Sequence, residues 1–407
     1  MREPGRMPRN RWLVIGLLTL VLSATFSVNL ILGLLLPDIS SDLNLSPSQQ
    51  GWLGSSSLIA ILLLGVPVSS WCSRYRPWRV LGIASLSVAG FVFLQARVPT
   101  FAALLVGRVG VGFASTVSQA PRMLLVRQWS SQQQVLKTNG IMAGIADVSL
   151  GLALLITPFI LVWTDAWEDT LYVWAVICLI IAVAWLVLGK ERVTKDYRES
   201  VAAQSGSPLN VILRYRQIQV LGLGVGGYIT TESAFSVFWP TLAQEQLEIP
   251  SVVIGVAFGM LFFTAAPAEV LTTVLPWLTR KRFTILAVCA LVSTVAHLGL
   301  IFTGSVPVVL TLFVLVGASI SFFPVMTTMV FHLPDIKPRE VAVGVSFIYT
   351  LASLGSATGP LLVGFLQEAT GDLRTALFVT VFFPLLLLAG SIYLRNRWSA
   401  APRTAAG

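Results

Sequence analysis

Ser73-Arg74-Tyr75-Arg76-Pro77-Trp78-Arg79 and, further along, Thr279-Arg280-Lys281-Arg282 decide how this chain is read. Each basic cluster sits between two long apolar segments, and the two stand about 204 residues apart. A second match lies at a similar spacing: the polar stretch Arg127 to Lys137 corresponds to His332 to Glu340. Working outward from these anchors, apolar runs fall at 13–36, 51–70, 79–97, 101–125, 139–162 and 171–188. A second set of six, at 217–239, 251–273, 283–303, 307–331, 342–366 and 374–394, repeats the layout. A helix needs about 20 apolar residues to cross a bilayer, which these runs supply. The expectation is an all-α membrane protein of 12 transmembrane helices, built as two six-helix bundles.

Composition agrees. Of 407 residues, 55% are hydrophobic and 11% charged, which excludes a water-soluble globular chain. With both termini in the cytoplasm, 24 of the 27 Lys and Arg fall on the cytoplasmic side. Arg97 and Arg374 are then external and Arg108 lies within the membrane. That asymmetry is the positive-inside pattern. It accounts for the net charge of +9 by loops facing an anionic lipid surface, with no nucleic acid partner needed. Trp12, Trp52, Trp129, Trp163, Trp239, Trp277 and Trp398 mark the interfaces. Cys72, Cys178 and Cys289 suggest neither a disulfide framework nor a metal site. No cofactor is expected.

Domain limits follow from the linker. Residues 1–189 form the N-terminal bundle, 190–216 a cytoplasmic linker and 217–407 the C-terminal bundle. Within the linker, Ser207-Pro208-Leu209-Asn210 reads as an N-cap and first-turn proline of a short surface helix. External loops such as Val98 to Thr100 leave no room for a soluble catalytic domain.

Several motifs resemble the major facilitator superfamily, and the resemblance covers nearly the whole chain. Leu36-Pro37-Asp38-Ile39 through Ser46 and Gly51-Trp52 is similar to that family's link between helices one and two. Arg108-Val109-Gly110-Val111-Gly112 matches its R-x-x-x-G motif in helix four. Gly355, Gly359, Pro360 and Gly364 resemble its glycine-rich helix eleven. Leu333-Pro334-Asp335-Ile336 and Pro338-Arg339-Glu340-Val341 look like the loop of small-anion and organic-acid members. The resemblance implies transport by alternating access around a central cavity lined by helices one, four and seven.

Departures prune the options. The family's loop between helices two and three usually reads G-x-x-x-D-R-x-G-R-R. Here Ser69, Ser73, Arg76, Pro77 and Trp78 replace its Gly, Asp, Gly, Arg and Arg, so only Arg74 and Arg79 remain as gating residues. The drug–proton antiporter pattern in helix five is incomplete. Nitrate porters carry arginines in helices two and eight, whereas 51–70 is uncharged and segment eight holds Glu269.

Buried charges cost roughly 2.5–3.5 kcal/mol each on insertion scales, so each needs a reason. Four stand out: Arg108, Asp147, Glu232 and Glu269. Arg108 is either an anchor for an anionic substrate or a structural arginine holding helix carbonyls. Asn29 and Glu232 fall at a similar depth by helical rise, so Asn29, Arg108, Glu232 and the neighbouring Tyr228 are the candidate substrate-binding set. Glu232 is suited to carry a proton, or else to pair statically with Arg108. Asp147 and Glu269 form a second proton-coupling set on the opposing helices five and eight. Plainer readings bond Asp147 to Ser149 or neighbouring backbone and let Glu269 snorkel toward Arg280 or Lys281. His297, on a helix peripheral in this family, reads as packing, and no metal-ligand cluster or carboxylate–histidine set of an enzyme stands out.

The resulting expectation is a secondary active transporter and not an enzyme. It moves a small polar or anionic organic molecule by proton-coupled symport, as a monomer in a prokaryotic inner membrane. Two alternatives stay open: a proton-driven efflux antiporter, or a transporter-like sensor or scaffold. No nucleotide-binding loop argues for direct ATP drive.

Overall fold

A computed structural model describes residues 11–72, 75–130, 135–191, 214–274, 281–331, 333, 336 and 338–400. Its first half holds α1 (Arg11–Leu43), α2 (Pro47–Cys72), α3 (Pro77–Arg97), α4 (Phe101–Trp129), α5 (Val135–Thr164) and α6 (Trp167–Leu188). Its second half holds α7 (Arg216–Glu245), α8 (Ser251–Val274), α9 (Arg282–Phe302), α10 (Val306–Ser319) and α11 (Phe322–Phe331). It ends with α12 (Pro338–Thr370), α13 (Leu373–Thr380) and α14 (Leu385–Ala400). These make twelve spans, because two are broken. Span ten is α10 plus α11, interrupted at Ile320 and Ser321; span twelve is α13 plus α14, interrupted over residues 381–384, where Pro384 removes a backbone donor. The short linker helix expected at Ser207 to Asn210, and Arg74 of the basic loop, lie outside the described residues.

Local rules set the helix starts. Thr100 caps α4 by accepting from the Ala103 amide at 3.3 Å. Asp372 caps α13, accepting from the Arg374 and Thr375 amides at 3.2 and 2.9 Å. Proline stands in the first turn of α3 and of α10, where its missing N–H costs nothing.

Packing divides the chain into two compact units, residues 1–32 with 59–206 and residues 33–58 with 207–407. In the first, α3 lies against α4 and α6. Its core gathers Val14, Leu18, Leu81, Leu125, Trp129 and Trp185. Two buried indoles find partners there: Trp185 Nε1 donates to the Trp78 carbonyl at 3.1 Å and Trp174 Nε1 to Thr157 Oγ1 at 3.1 Å.

In the second unit α7 and α12 pack most extensively, and glycine is the reason. A β-carbon at Gly355 would run into the Gly226 carbonyl, and one at Gly359 into Ser233 and the Thr230 carbonyl. The glycines of α7 serve two faces: Gly222 and Gly226 meet Leu351 of α12, whereas Gly224 and Gly227 meet Leu387 and Phe383. Further along α12, Pro360 and Gly364 receive the start of α2. A β-carbon at Gly51 would lie 2.8 Å from the Pro360 carbonyl, and one at Gly364 would lie 2.5 Å from the Pro47 carbonyl. Small residues let helix backbones approach this closely within a membrane.

Candidate functional site

The charged residues sort between the two units. Arg108 and Asn29 belong to the first, as does Asp147; Glu232, Tyr228 and Glu269 belong to the second.

Arg108 is almost fully enclosed, at 2% exposure. Its Nη1 donates to the Val28 carbonyl at 3.1 Å and its Nη2 to the Asn29 carbonyl at 3.4 Å, so α4 grips α1 through one guanidinium. The local sequence makes this possible. Gly107 and Gly110 lie against Gln95 and Phe91 of α3, leaving no space for a β-carbon. Asn29 Nδ2 donates to the Thr25 carbonyl at 3.0 Å, while its Oδ1 is buried without a hydrogen bond. Arg108 therefore braces helices as the plainer reading held.

Asp147 does not use Ser149, as one reading expected; that hydroxyl donates to the Ile145 carbonyl at 2.7 Å, and Asp147 Oδ2 is buried without a partner. Gly140 and Gly144 precede Asp147 on the same face of α5 at helical spacing. Nothing lies within 4 Å of a β-carbon built at either glycine. This face of α5 is open within its unit and ends in a carboxylate.

Glu232 sits in a polar pocket among α7, α9 and α10. Its Oε1 stands 3.8 Å from His297 Nε2 and makes no hydrogen bond. Tyr228, one turn earlier, bonds Ser319 through its hydroxyl at 2.6 Å and packs at a tilt against Phe322 with ring centroids 4.5 Å apart. The other polar residues of this turn look elsewhere: Thr230 Oγ1 donates to the Gly226 carbonyl and Thr231 Oγ1 to the Thr380 carbonyl.

His297, read from the sequence as packing, is buried and lies edge-on to Phe235 at 4.4 Å. Yet its free nitrogen faces the carboxylate. The signal available in the sequence was polar spacing: Ser293 and His297 occupy one face of α9.

Glu269 is part-buried on α8, where Thr272 Oγ1 donates to its backbone carbonyl at 2.9 Å and to that of Ser321 at 3.2 Å. Arg280, one of its suggested partners, lies outside the described residues. So does Arg74; Arg79 is exposed in the first turn of α3. Among the described residues no group of three or more His, Cys, Asp or Glu is placed to hold a metal ion.

Comparison with known proteins bears on this arrangement. The family model described as Major Facilitator Superfamily matches residues 17–360. The chain is 22% identical over 389 residues to the "Probable nitrate transporter NarT" of Staphylococcus epidermidis, covering 94% of this chain and 96% of that one. Among solved structures it is similar to a bacterial homolog of the human lysosomal transporter Spinster in an inward-facing, unoccupied conformation. The TM-score is 0.78 at 16% identity, and all of both chains is covered. The nucleoside transporter NupG is similar too, with a TM-score of 0.75 at 13% identity over 95% of this chain and 99% of that one.

Proposed function

The chain belongs to the Major Facilitator Superfamily, a multi-pass membrane transporter family, and on that premise we propose that it carries a small anionic or polar solute by alternating access in symport with protons. The observation that carries the reading is Arg108, a guanidinium enclosed at 2% exposure within a membrane-spanning helix. A charge inside a membrane is costly and points to a functional role, and a guanidinium's planar fork suits an anionic or polar solute. Glu232 supplies the protonatable partner, with Asp147 and Glu269 as further carboxylates on the path.

The relatives support a small polar cargo without deciding which. One is named for nitrate and another for nucleosides. Nitrate itself is not favoured, because α2 carries no charged residue and α8 offers Glu269. The two halves, 1–189 and 217–407, act as the rocking bodies, with 190–216 as their cytoplasmic strap and both termini inside. The protein works as a monomer in a prokaryotic plasma membrane.

Proteoliposomes containing a pH dye test this. A panel running from nitrate and nitrite to small mono- and dicarboxylates is added outside. Symport of protons with the solute acidifies the lumen in response to one member of the panel. Alkalinisation would make the protein an antiporter, and neither proton movement nor labelled uptake across the panel would overturn the reading.

A further inference from the structure

The contact between Glu232 and His297 has a definite proton count. His297 Nδ1 lies 2.8 Å from the Ser293 backbone carbonyl, which can only accept, so Nδ1 carries a hydrogen. A neutral imidazole has one donor and one acceptor nitrogen, which leaves Nε2 with a lone pair. That lone pair faces Glu232 Oε1 at 3.8 Å, an oxygen that is itself buried and without a hydrogen bond. An ionised Glu232 would thus point one lone pair at another. One added proton resolves this, either as a carboxylic acid donating to Nε2 or as an ion pair of carboxylate and imidazolium. The two forms hold the same number of protons and differ only in where one sits.

We infer that Glu232 and His297 together form a single-proton binding site between α7 and α9, which seats the coupling proton. This rests on the proton-symport reading above and adds His297 to the carboxylate named there. The site is walled and wired. Phe235 lies against the imidazole, and Tyr228, one helical turn from Glu232, bonds Ser319, where span ten breaks between α10 and α11. Broken membrane helices expose backbone dipoles that a nearby charge can bias. Loading or removing the proton therefore changes the charge one turn from the tyrosine that holds this break.

The other ionisable groups at this network are Tyr228 itself and Cys289, which bonds Ser321 at 3.7 Å. Helices α10 and α11 carry none. On α13, Arg374 lies over Phe302, beyond His297 on α9. On α12, Tyr349 and Glu368 flank the stretch that packs on Thr230 and Ser233, and on α14 the first is Tyr393. Glu269 on α8 completes the set.

The test needs no substrate. Infrared difference spectra of the lipid-reconstituted protein are recorded across a pH titration, for wild type, Glu232→Gln and His297→Gln. The expected result is a protonated-carboxyl band that vanishes in Glu232→Gln and whose midpoint moves about tenfold in proton concentration in His297→Gln. An unchanged midpoint in folded His297→Gln overturns the proposal. The chain has two histidines, so ¹⁵N-histidine spectra of an untagged His332→Gln protein report His297 alone. A signal showing Nδ1 protonated and Nε2 shifting on Glu232→Gln supports the dyad, and it covers the case where His297→Gln does not fold. A stationary Nε2 signal overturns it. Should the dyad pass while the vesicle panel is silent, the symport reading fails and the proton site stands.

Discussion

Arg108 on α4 donates to the backbone carbonyl of Val28 on α1 across 3.1 Å, and the neighbouring Asn29 carbonyl takes its second nitrogen at 3.4 Å. A lysine offers one compact ammonium and cannot span two carbonyls as a planar fork does. Arg108→Lys should keep the charge and lose part of the brace, and Arg108→Gln should lose both. Hydrogen bonds to charged groups contribute about 1.5–3 kcal/mol, so both variants should melt at lower temperature in detergent. For uptake of the panel compound identified, KM should rise roughly tenfold or more in Arg108→Gln and less in Arg108→Lys. Equal melting losses with KM untouched in both would leave Arg108 a brace alone.

The glycines divide by what surrounds them. At Gly51 an added β-carbon would lie 2.8 Å from the Pro360 carbonyl, whereas at Gly144 it meets nothing within 4 Å. Overpacking typically costs about 1–3 kcal/mol, so Gly51→Leu should lower the melting temperature by several degrees. Gly144→Leu should leave stability unchanged and fill the open face of α5 that ends in Asp147. If that face lies on the solute path, uptake by Gly144→Leu should fall at least about tenfold. Normal uptake with normal stability would remove this face from the path.

Apolar runs made all twelve spans legible, because a window of apolar residues is a one-dimensional property. The most diluted is α7, which carries Tyr228, Thr230, Thr231 and Glu232. The break in span ten was only hinted at by Pro324, since what holds it open is tertiary: Tyr228 from α7 and Thr272 from α8 bond residues at the interruption. The partnership of Glu232 and His297 was invisible for the same reason. Periodicity tells which residues share a face of α9, but not that this face meets α7. Arg108 was found from its cost and from the R-x-x-x-G match, and its carbonyl partners had to be seen.

Asp372 offers a pH test away from the membrane interior. Its carboxylate is held below the usual range chiefly by the hydrogen bond from the Thr375 hydroxyl, helped by the amides of Thr375 and Arg374. A depressed folded value means that the stabilisation is complete above the ordinary carboxylate range and is lost as pH falls through the folded value. Between pH 6 and 8, roughly two or more units above that range, Asp372 should therefore contribute a constant amount. Asp372→Ala should cost about 1 kcal/mol there, as loss of an N-cap does. Melting curves from pH 8 down to pH 3 should converge for wild type and variant at the acid end. Parallel curves throughout would show that the cap acts without its charge.

Tyr228 and Ser319 provide the last test, because they join the proton site to the break in span ten. Tyr228→Phe keeps the ring on Phe322, with centroids 4.5 Å apart in the parent, and removes only the hydroxyl. Ser319 is not orphaned by this, since its own hydroxyl also donates to the Val316 carbonyl at 2.7 Å. The stability loss should accordingly be modest, about 0.5–1.5 kcal/mol. Ser319→Ala should cost a similar amount, and the double variant should cost less than the sum, because both singles break one shared bond. The local consequence should exceed the global one: amide hydrogen exchange at Ile320 to Phe323 should quicken in Tyr228→Phe while that of α9 stays as it was. Additive losses, or exchange that quickens evenly along α9, α10 and α11, would mean that the hydroxyl contributes to general packing and does not control the break.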